Sequence, residues 1–582
     1  MEMVNIKING MPLSVPKGVT ILEAARELGI EIPTLCYLKE INEIGACRIC
    51  VVEVKGARTL VTACVYPVAE GMEIYTNTLK VQNARRMTLE LILSTHDRSC
   101  LSCVRSGSCE LQRLCQEFGV DDESRFDGDN PVETFDDSAI HMVRDNNKCI
   151  LCRRCIAACQ SQQVAVIGTN DRGFDTHVGC AFDSTLDKVA CVSCGQCVVH
   201  CPTGALIEKD DGDKVTEALN DPTKHVIVQT APSIRVTLGE CFGMPIGTNV
   251  QGKMVAALRR LGFDRVFDTD LAADLTIMEE ASEFIERVKN GGKLPMITSC
   301  SPGWVKYCEY YYPDMLENLS TCKSPQQMFG AVTKTWYAKK YNLNPKDIVV
   351  VGIMPCTAKK FEVSREDEDA SGFPDVDVAL TTRELGRMIS RAHINFTALP
   401  DEKFDSPMGE ATGAGVIFGA TGGVMEAALR TASELLTGEE LAQPDFPEVR
   451  GTDGIKEATY NVGGMDVNVA VASGLSNAHK LLESVKSGEK SYHFIEIMGC
   501  PGGCVNGGGQ PVQSAVVRSF VDLKSARAKS LYEQDKNLPL RKSHENPVLK
   551  KIYEEYLGEP GGHTAHQILH TSYVDRSARV IK

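Results

Sequence analysis

The chain has 582 residues, too many for one hydrophobic core, so several domains are expected. Its net charge of -15 and pI near 5.4 argue against nucleic acid as a partner and fit a protein that docks other proteins through local patches. Its 24 cysteines fall into tight clusters in a long chain, unlike a small secreted disulfide scaffold, so they read as metal ligands in a reducing compartment. The N-terminus MEMVNIKING lacks a basic stretch followed by an apolar core and lacks a twin arginine. With no run of about eighteen apolar residues anywhere, a cytoplasmic protein without a membrane span is expected.

In chain order, Val4, Ile6 and Ile8 alternate with polar residues, Asn9-Gly10 follows, and Met11, Leu13 and Val15 resume the alternation, which predicts a β-hairpin. Thr20 and Glu23 have the spacing of a capping box at a helix start. Cys36, Cys47, Cys50 and Cys64 then occur at C-x10-C-x2-C-x13-C within residues 1–77, a set that fits one 2Fe-2S cluster. Zinc fits less well, because Cys64 is followed by more strand instead of a second close pair. A mostly helical stretch is predicted from Thr78 to Gly119, and its later part holds His96, Cys100, Cys103 and Cys109 at H-x3-C-x2-C-x5-C. Alone, one imidazole and three thiolates are a standard zinc set; between a 2Fe-2S module and a ferredoxin-like pair they favour 4Fe-4S. Cys115 lies outside that spacing and reads as a core thiol. Asp121 to Asp137, rich in Asp, Glu, Gly and Pro, reads as the linker that closes a unit over residues 78–137.

From Cys149 to Cys201 the pattern C-x2-C-x2-C-x3-C occurs twice, and Pro202 follows the second copy. This spacing predicts two neighbouring 4Fe-4S clusters with crossed ligands. Cys149, Cys152 and Cys155 would join Cys201 on one, and Cys191, Cys194 and Cys197 would join Cys159 on the other, within residues 138–215.

From His225 onward, apolar runs such as VIVQTAP, KDIVVVGIMP and GAGVIFGATGG alternate with helical segments such as SPQQMFGAVTKTWYAKK. They predict an α/β domain with a parallel sheet over residues 216–520, with sites at strand ends. The tail, 521–582, reads as helical and charged, with a break at Lys542 to Pro547. Three loops of the α/β domain carry cysteines: Thr298-Ser299-Cys300-Ser301-Pro302-Gly303-Trp304, the loop from Met354 through Cys356 to Lys360, and the loop from Glu496 through Cys500 and Cys504 to Gly507-Gly508-Gly509-Gln510-Pro511. Thiolates at strand ends, beside glycines that admit close backbone approach, suit a deeply buried metal cluster; core thiols beside turn glycines are the plainer reading. Cys180, Cys241, Cys308 and Cys322 read as core thiols.

At these loops the chain resembles the [FeFe]-hydrogenases, whose motifs run TSCCPGW, MPCxxKKxE and ExMxCxxGCxxGGGQP. The resemblance covers nearly the whole chain, including the cluster modules and a tail with HENP followed by His563, His566 and His570. It implies an α/β multidomain protein: a β-grasp 2Fe-2S ferredoxin-like domain, a domain with one histidine and three cysteine ligands, a 2x4Fe-4S ferredoxin-like domain, an α/β catalytic domain and a helical small-subunit-like tail. It also implies reversible reduction of protons to H2 at the H-cluster, a 4Fe-4S cluster bridged by one cysteine to a two-iron unit carrying carbonyl, cyanide and a dithiolate with an amine. Carried over, Cys356, Cys500 and Cys504 are cluster ligands, with Cys504 bridging. Lys359 contacts a cyanide, and Pro232, Ser233, Gln326, Met354, Phe418 and Met498 form the rest of the pocket wall. Glu280, Glu283, Arg287 and Ser320 match the family's proton relay; without the resemblance, Glu280 and its neighbours would read as a solvated acidic helix face.

The first loop departs from the family. There, two adjacent cysteines relay protons and ligate the cubane, in that order; here Cys300 is followed by Ser301. Either the loop shifts so that Cys300 ligates and Ser301 relays, or Ser301 ligates and Cys300 relays. Ligand chemistry favours Cys300, because iron in a cubane prefers a soft thiolate.

One 2Fe-2S and three 4Fe-4S accessory clusters exceed what hydrogen chemistry needs and suggest a hetero-oligomer that exchanges electrons with ferredoxin and, through a flavin subunit, with NAD(H). GATGGVMEA lacks the G-x-G spacing of a dinucleotide fingerprint, so the nicotinamide would bind another chain. Two other readings use the same modules: an electron-transfer subunit of another NADH-linked or molybdenum oxidoreductase, and a redox or H2 sensor.

Overall fold

The computed structural model describes residues 2–120, 124–126, 134–441, 443–462 and 464–580. The alternation at the N-terminus forms the expected hairpin: Met3–Ile8 pairs antiparallel with Met11–Pro16, Ile8 opposite Met11. Asn9 and Gly10 both take positive φ, 51° and 85°, the two-residue turn that matches strand twist. Glu73–Tyr75 adds in parallel beside Met3–Ile8, and Val51–Val54 and Val61–Thr62 complete five strands. Val4, Ile6 and Ile8 point inward against Ile21 and Leu22 of the helix Ile21–Glu27, whose capping box joins Thr20 and Glu23 as expected.

The stretch expected to be mostly helical is two helices, Leu79–Leu93 and Glu110–Phe118. Between them the chain is irregular. Asp97 accepts hydrogen bonds from the Ser99 backbone and hydroxyl, and Gly107 has φ 76°, so local polar bonds and a left-handed residue displace helix there. Cys115 is buried against Leu111 and Leu114, in line with its reading as a core thiol. Most of the expected linker, 121–123 and 127–133, lies outside the described residues; its end, Phe135–Asp136, is a short strand.

That strand, Met142–Asp145 and Leu206–Glu208 form a three-stranded sheet over the two cysteine runs. The runs repeat in conformation as well as in spacing. Cys152 lies between Leu151 and Arg153 at φ 50° and 62°, and Cys194 between Ser193 and Gly195 at φ 60° and 68°. Each kink leads into a helix, Arg154–Ser161 and Gln196–His200, and these two pack together.

The α/β region holds two four-stranded sheets. In one, Arg265–Asp268, His225–Thr230, Ile348–Met354 and Val378–Thr381 run parallel in that order. In the other, Met296–Ile297, Phe494–Met498 and Met465–Ser473 are parallel, and Ile455–Val462 closes the edge antiparallel. One apolar core runs from the ferredoxin-like unit into the second sheet, joining Val192 and Val198 to Trp304, Ile495 and Ile497. The tail is anchored by buried ion pairs, Arg527 with Glu240 (2.6 Å) and Asp535 with Arg430 (2.9 Å), and by Asn546, which donates to Asp274 (2.9 Å). Cys180, Cys308 and Cys322 are buried; Cys241 is exposed in a surface cleft beside Arg383, contrary to its reading as a core thiol, because it lies on a short turn that ends at the surface. Among the described residues no helix is long and apolar enough to cross a membrane.

Candidate active site

Four parallel strands deliver their carboxyl ends to one cavity: His225–Thr230 leads to Pro232, Met296–Ile297 to Cys300 and Ser301, Ile348–Met354 to Cys356 and Lys359, and Phe494–Met498 to Cys500 and Cys504. Gln326, Met354, Phe418 and Met498 line the same space. Ser233 lies behind the wall, where its hydroxyl accepts from Gln510 Nε2 (3.2 Å). Burial pushes the Cys500 thiol well up and Cys504 up to about 12, and the charge of Cys356 acts on both in the same direction. Several thiolates in one dry space repel one another and lack solvation, and a cationic iron cluster offsets both costs. The donor set therefore fits the cluster that the loops imply.

Close backbone approach explains the glycines. A Cβ at Gly507 would collide with the Pro355 carbonyl, and one at Gly508 with the Cys194 carbonyl of the ferredoxin-like unit. Across the same contact Thr357 Oγ1 donates to the Ser193 carbonyl (2.7 Å) and Gln196 Nε2 to that of Asn506 (3.1 Å). The second cysteine run thus abuts the wall of the cavity, and the charges of Cys194, Cys356 and Cys500 act on one another.

Cys300 and Ser301 face different neighbours. Burial raises the Cys300 thiol, and Glu280 is the charge that adds most to this, followed by Cys504. The Ser301 hydroxyl accepts from the backbone N–H of Gly499 (3.1 Å), next to Cys500. Lys359 Nζ donates to both oxygens of Glu362 (3.0 and 2.9 Å), to Ser324 Oγ (2.8 Å) and to the Cys300 carbonyl (3.4 Å). Gln326 Nε2 bonds the same Glu362 (2.9 Å), which leaves its Oε1 buried without a partner. Ser324 and Glu362 were not singled out from sequence, although Glu362 is the last residue of the MPCxxKKxE pattern.

Glu280 and Glu283 lie on the helix Asp270–Asn290, and Glu280 is 1% exposed, as buried as Glu279 beside it. The solvated acidic face is therefore not what forms: packing against the tail and the first cysteine loop encloses it. Both oxygens of Glu280 are buried without a hydrogen-bond partner; burial, reinforced by Glu283, pushes its carboxyl up to about 8, and nearby Ser320 and the Ser299 backbone offset part of the rise. Glu283 pairs with Arg287 (2.5 Å) and accepts from Ser320 Oγ (3.2 Å) and Thr321 Oγ1 (3.1 Å). Thr321 Oγ1 also meets His570 Nδ1 (2.7 Å), and His570 Nε2 faces Glu279 (3.1 Å). Thr321 and Glu279 carried no signal of their own in the sequence; His570 was visible only as part of the tail pattern.

The accessory cysteines gather in the expected sets. The backbone N–H groups of Cys36 and Cys47 each reach the other's sulfur (3.4 and 3.5 Å), and Cys50 and Cys64 sulfurs are 3.3 Å apart. His96 Nδ1 is buried without a partner and burial keeps the ring neutral, so its lone pair suits a metal; Cys103 acts on Cys109, and Cys109 and Cys100 both act on Cys115. Cys155 feels Cys152, Cys149 and Cys201, while Cys197 feels Cys194, Cys159 and Cys191 and, less, Cys155 of the other run, so the two runs lie against one another. Two contacts join the N-terminal modules to the first of these sets. Asn42 Nδ2 donates to the Cys36 and Cys152 carbonyls (2.8 and 3.0 Å), and a Cβ at Gly204 would lie 2.9 Å from Cys103 Sγ.

Thiols from three strand ends, abutting a succession of cysteine modules, define an iron-sulfur oxidoreductase. Residues 224–508 match the C-terminal domain of the iron only hydrogenase large subunit, and 521–576 the iron hydrogenase small subunit. Residues 1–79, 85–124 and 148–205 match the 2Fe-2S iron-sulfur cluster binding domain, the NADH-ubiquinone oxidoreductase-G iron-sulfur binding region and the 4Fe-4S dicluster domain. The chain is 51% identical to the NADP-reducing hydrogenase subunit HndD of Solidesulfovibrio fructosivorans, over 99% of this chain and 100% of that one. It is 45% identical to iron hydrogenase 1 of Clostridium pasteurianum, over 98% and 100%. A solved apo [FeFe]-hydrogenase from Chlamydomonas reinhardtii covers 62% of this chain and 98% of its own at 44% identity, with a TM-score of 0.55. The chain belongs to the [FeFe]-hydrogenases and is an iron hydrogenase with accessory iron-sulfur domains.

Proposed function

We propose that the chain interconverts H2 with protons and electrons at an H-cluster held by Cys356, Cys500 and Cys504, with one 2Fe-2S and three 4Fe-4S clusters carrying the electrons. The single observation that carries this assignment is the convergence of those thiols on one cavity whose wall touches the second ferredoxin-like cysteine run. When bound, the group supplies an open iron position for hydrogen and a base beside it. The protein's own residues do the rest. Met354, Phe418 and Met498 exclude water, and Lys359, fixed by Glu362 and Ser324, presents an ammonium to an anionic diatomic ligand. Glu280, protonated at neutral pH, has both oxygens without a partner and its charge acts on Cys300, while Glu283 bonds Ser320 and Arg287, so side-chain rotation of Glu280 would carry a proton from Glu283 and Ser320 to the Cys300 sulfur.

The same geometry favours Cys300 as the relay and Ser301 at the cubane, the reverse of what ligand softness alone suggests. Cys300 lies with Glu280, and an N–H aimed at the Ser301 oxygen stabilises negative charge there.

Full-length similarity to a protein named an NADP-reducing hydrogenase subunit, with no dinucleotide fingerprint in this chain, supports an assembly in which flavin and pyridine nucleotide sit on other subunits and ferredoxin exchanges electrons with this one. We place the assembly in the cytoplasm, consistent with 24 cysteines that form no disulfide among the described residues, and the units at 1–77, 78–137, 138–215, 216–520 and 521–582. The test is infrared spectroscopy of the anaerobically matured protein. Carbonyl and cyanide bands that shift under H2 are expected; their absence despite full accessory iron and confirmed maturation would leave an electron-transfer or sensory role.

A further inference from the structure

The proton path runs beside a segment of the tail. Residues 569–571 pair antiparallel with the stretch that follows Ser320: the Lys323 N–H donates to the Leu569 carbonyl and the Thr571 N–H to the Thr321 carbonyl, 2.8 Å each, with Cys322 opposite His570. On its other flank that stretch is held by the first cysteine loop and its strand, where the Ser320 N–H donates to the Ile297 carbonyl (2.7 Å) and Ser299 Oγ to that of Cys322 (2.8 Å). Ser320 and Thr321 are thus clamped between the catalytic loop and the tail.

Two tail side chains reach the path from there. Tyr573 Oη donates to the Ser320 carbonyl. His570 Nδ1 lies 2.7 Å from Thr321 Oγ1, and Thr321 bonds Glu283 through both its hydroxyl (3.1 Å) and its N–H (3.0 Å). On the far side of the ring, Nε2 faces Glu279 Oε2 (3.1 Å), which also accepts from the Gly561 N–H (2.9 Å), while Tyr553 Oη donates to Glu279 Oε1. A protonated ring donates to Thr321 and Glu279 together and leaves the Thr321 hydroxyl proton for Glu283. A neutral ring that donates to Glu279 takes that proton itself, and Thr321 then reaches Glu283 only through its N–H. In both states the imidazole fixes the Thr321 side chain. The tail has separate anchors: Asp367 accepts from Thr571 Oγ1 (2.7 Å) and the Ser572 N–H (2.8 Å), and Arg576 donates to Glu309 (2.7 Å). Loss of one bond to the path therefore leaves the segment in place.

We propose that residues 569–573 form a positioning clasp for the proton path, in which His570 acts through Thr321 on Glu283 and Tyr573 acts through the main chain on Ser320. The Glu283 carboxylate and the Ser320 hydroxyl, 3.2 Å apart, are thereby kept at hydrogen-bond distance, the geometry a proton hand-over needs. Neither tail residue lines the cavity, so both are positioning residues, and their role rests on the reading of Glu283, Ser320 and Glu280 as the relay. The segment that matches the iron hydrogenase small subunit then takes part in proton delivery.

The test compares H2 evolution by the matured full-length protein in H2O with D2 evolution in D2O, with iron counted and infrared bands recorded under H2 in each sample. In Tyr573→Phe, which removes one hydroxyl, and in His570→Leu, turnover should fall on the order of 10-fold, short of the ~100-fold that a ~1 Å misplacement costs. The solvent isotope effect should rise in both while iron and infrared bands stay at wild type. His570→Gln, whose amide both donates and accepts, should recover most of the rate. Thr321→Val, which removes the hydroxyl that His570 acts on, repeats the test where leucine impairs folding. Full iron with turnover and isotope effect unmoved in either variant overturns the role of that residue, and so does a loss of rate that only tracks lost infrared bands. Glu283→Gln at wild-type rate instead overturns the relay reading on which the clasp rests.

Discussion

The accessory modules and the catalytic cavity hold thiols in opposite ways. In the ferredoxin-like unit the eight expected ligand cysteines lie within 53 residues, counted from Cys149 to Cys201, and local kinks such as Leu151 and Arg153 turn them inward. In the cavity Cys300, Cys356, Cys500 and Cys504 span more than two hundred residues and meet only because three strand ends do. A local site can be formed by its own loop; a distributed one exists only once both sheets have packed. The accessory clusters should therefore survive many changes that abolish the catalytic one.

The largest break in that contrast is Cys504→Ala. Hydrogen uptake and evolution should be lost completely while accessory iron and its paramagnetic signals persist, measured side by side in one preparation. Loss of all iron would mean that the modules depend on the cavity after all. Glu280→Gln comes next, with activity expected to fall about 100- to 10,000-fold as a proton relay is removed. Its pH dependence sharpens the point. The carboxyl is raised from 4.5 to about 8, so over that window the folded protein keeps a proton that the unfolded chain has released, and stability falls as pH rises through it. The Gln variant should lack that fall and melt higher than wild type above pH 8; an unchanged melting profile would place Glu280 in a wetter setting than its burial indicates.

A smaller effect is expected where the two regions touch. Gly508→Ala drives a methyl into the Cys194 carbonyl, and overpacking of this kind costs about 1–3 kcal/mol, so the melting temperature should drop and electron hand-over to the cavity should slow several-fold in stopped-flow reduction. The smallest effect belongs to Asn42→Ala. It removes two hydrogen bonds, about 1 kcal/mol each, and should slow electron entry through the 2Fe-2S module while H2 production from a small reductant acting elsewhere stays at wild-type rate. Equal loss by both routes would show that the 2Fe-2S module has a structural role at the ferredoxin-like unit.

Much of this protein is written in local sequence. Hairpin alternation with Asn9-Gly10, the Thr20–Glu23 capping box, the doubled cysteine run and the strand-end loops each depend on neighbours a few residues away, and each forms as its spacing predicts. The stretch Thr78–Gly119, expected to be mostly helical, forms the helices Leu79–Leu93 and Glu110–Phe118, and only between them do Asx bonding and Gly107 win over helix propensity. Tertiary structure decided what spacing cannot encode. Burial turned Glu280 from a candidate surface carboxylate into an acid, and it set Cys300 beside that acid and Ser301 beside Gly499. Glu362 came to hold Lys359. Charge and proton affinity depend on what surrounds a group in three dimensions, and those surroundings come from segments hundreds of residues apart.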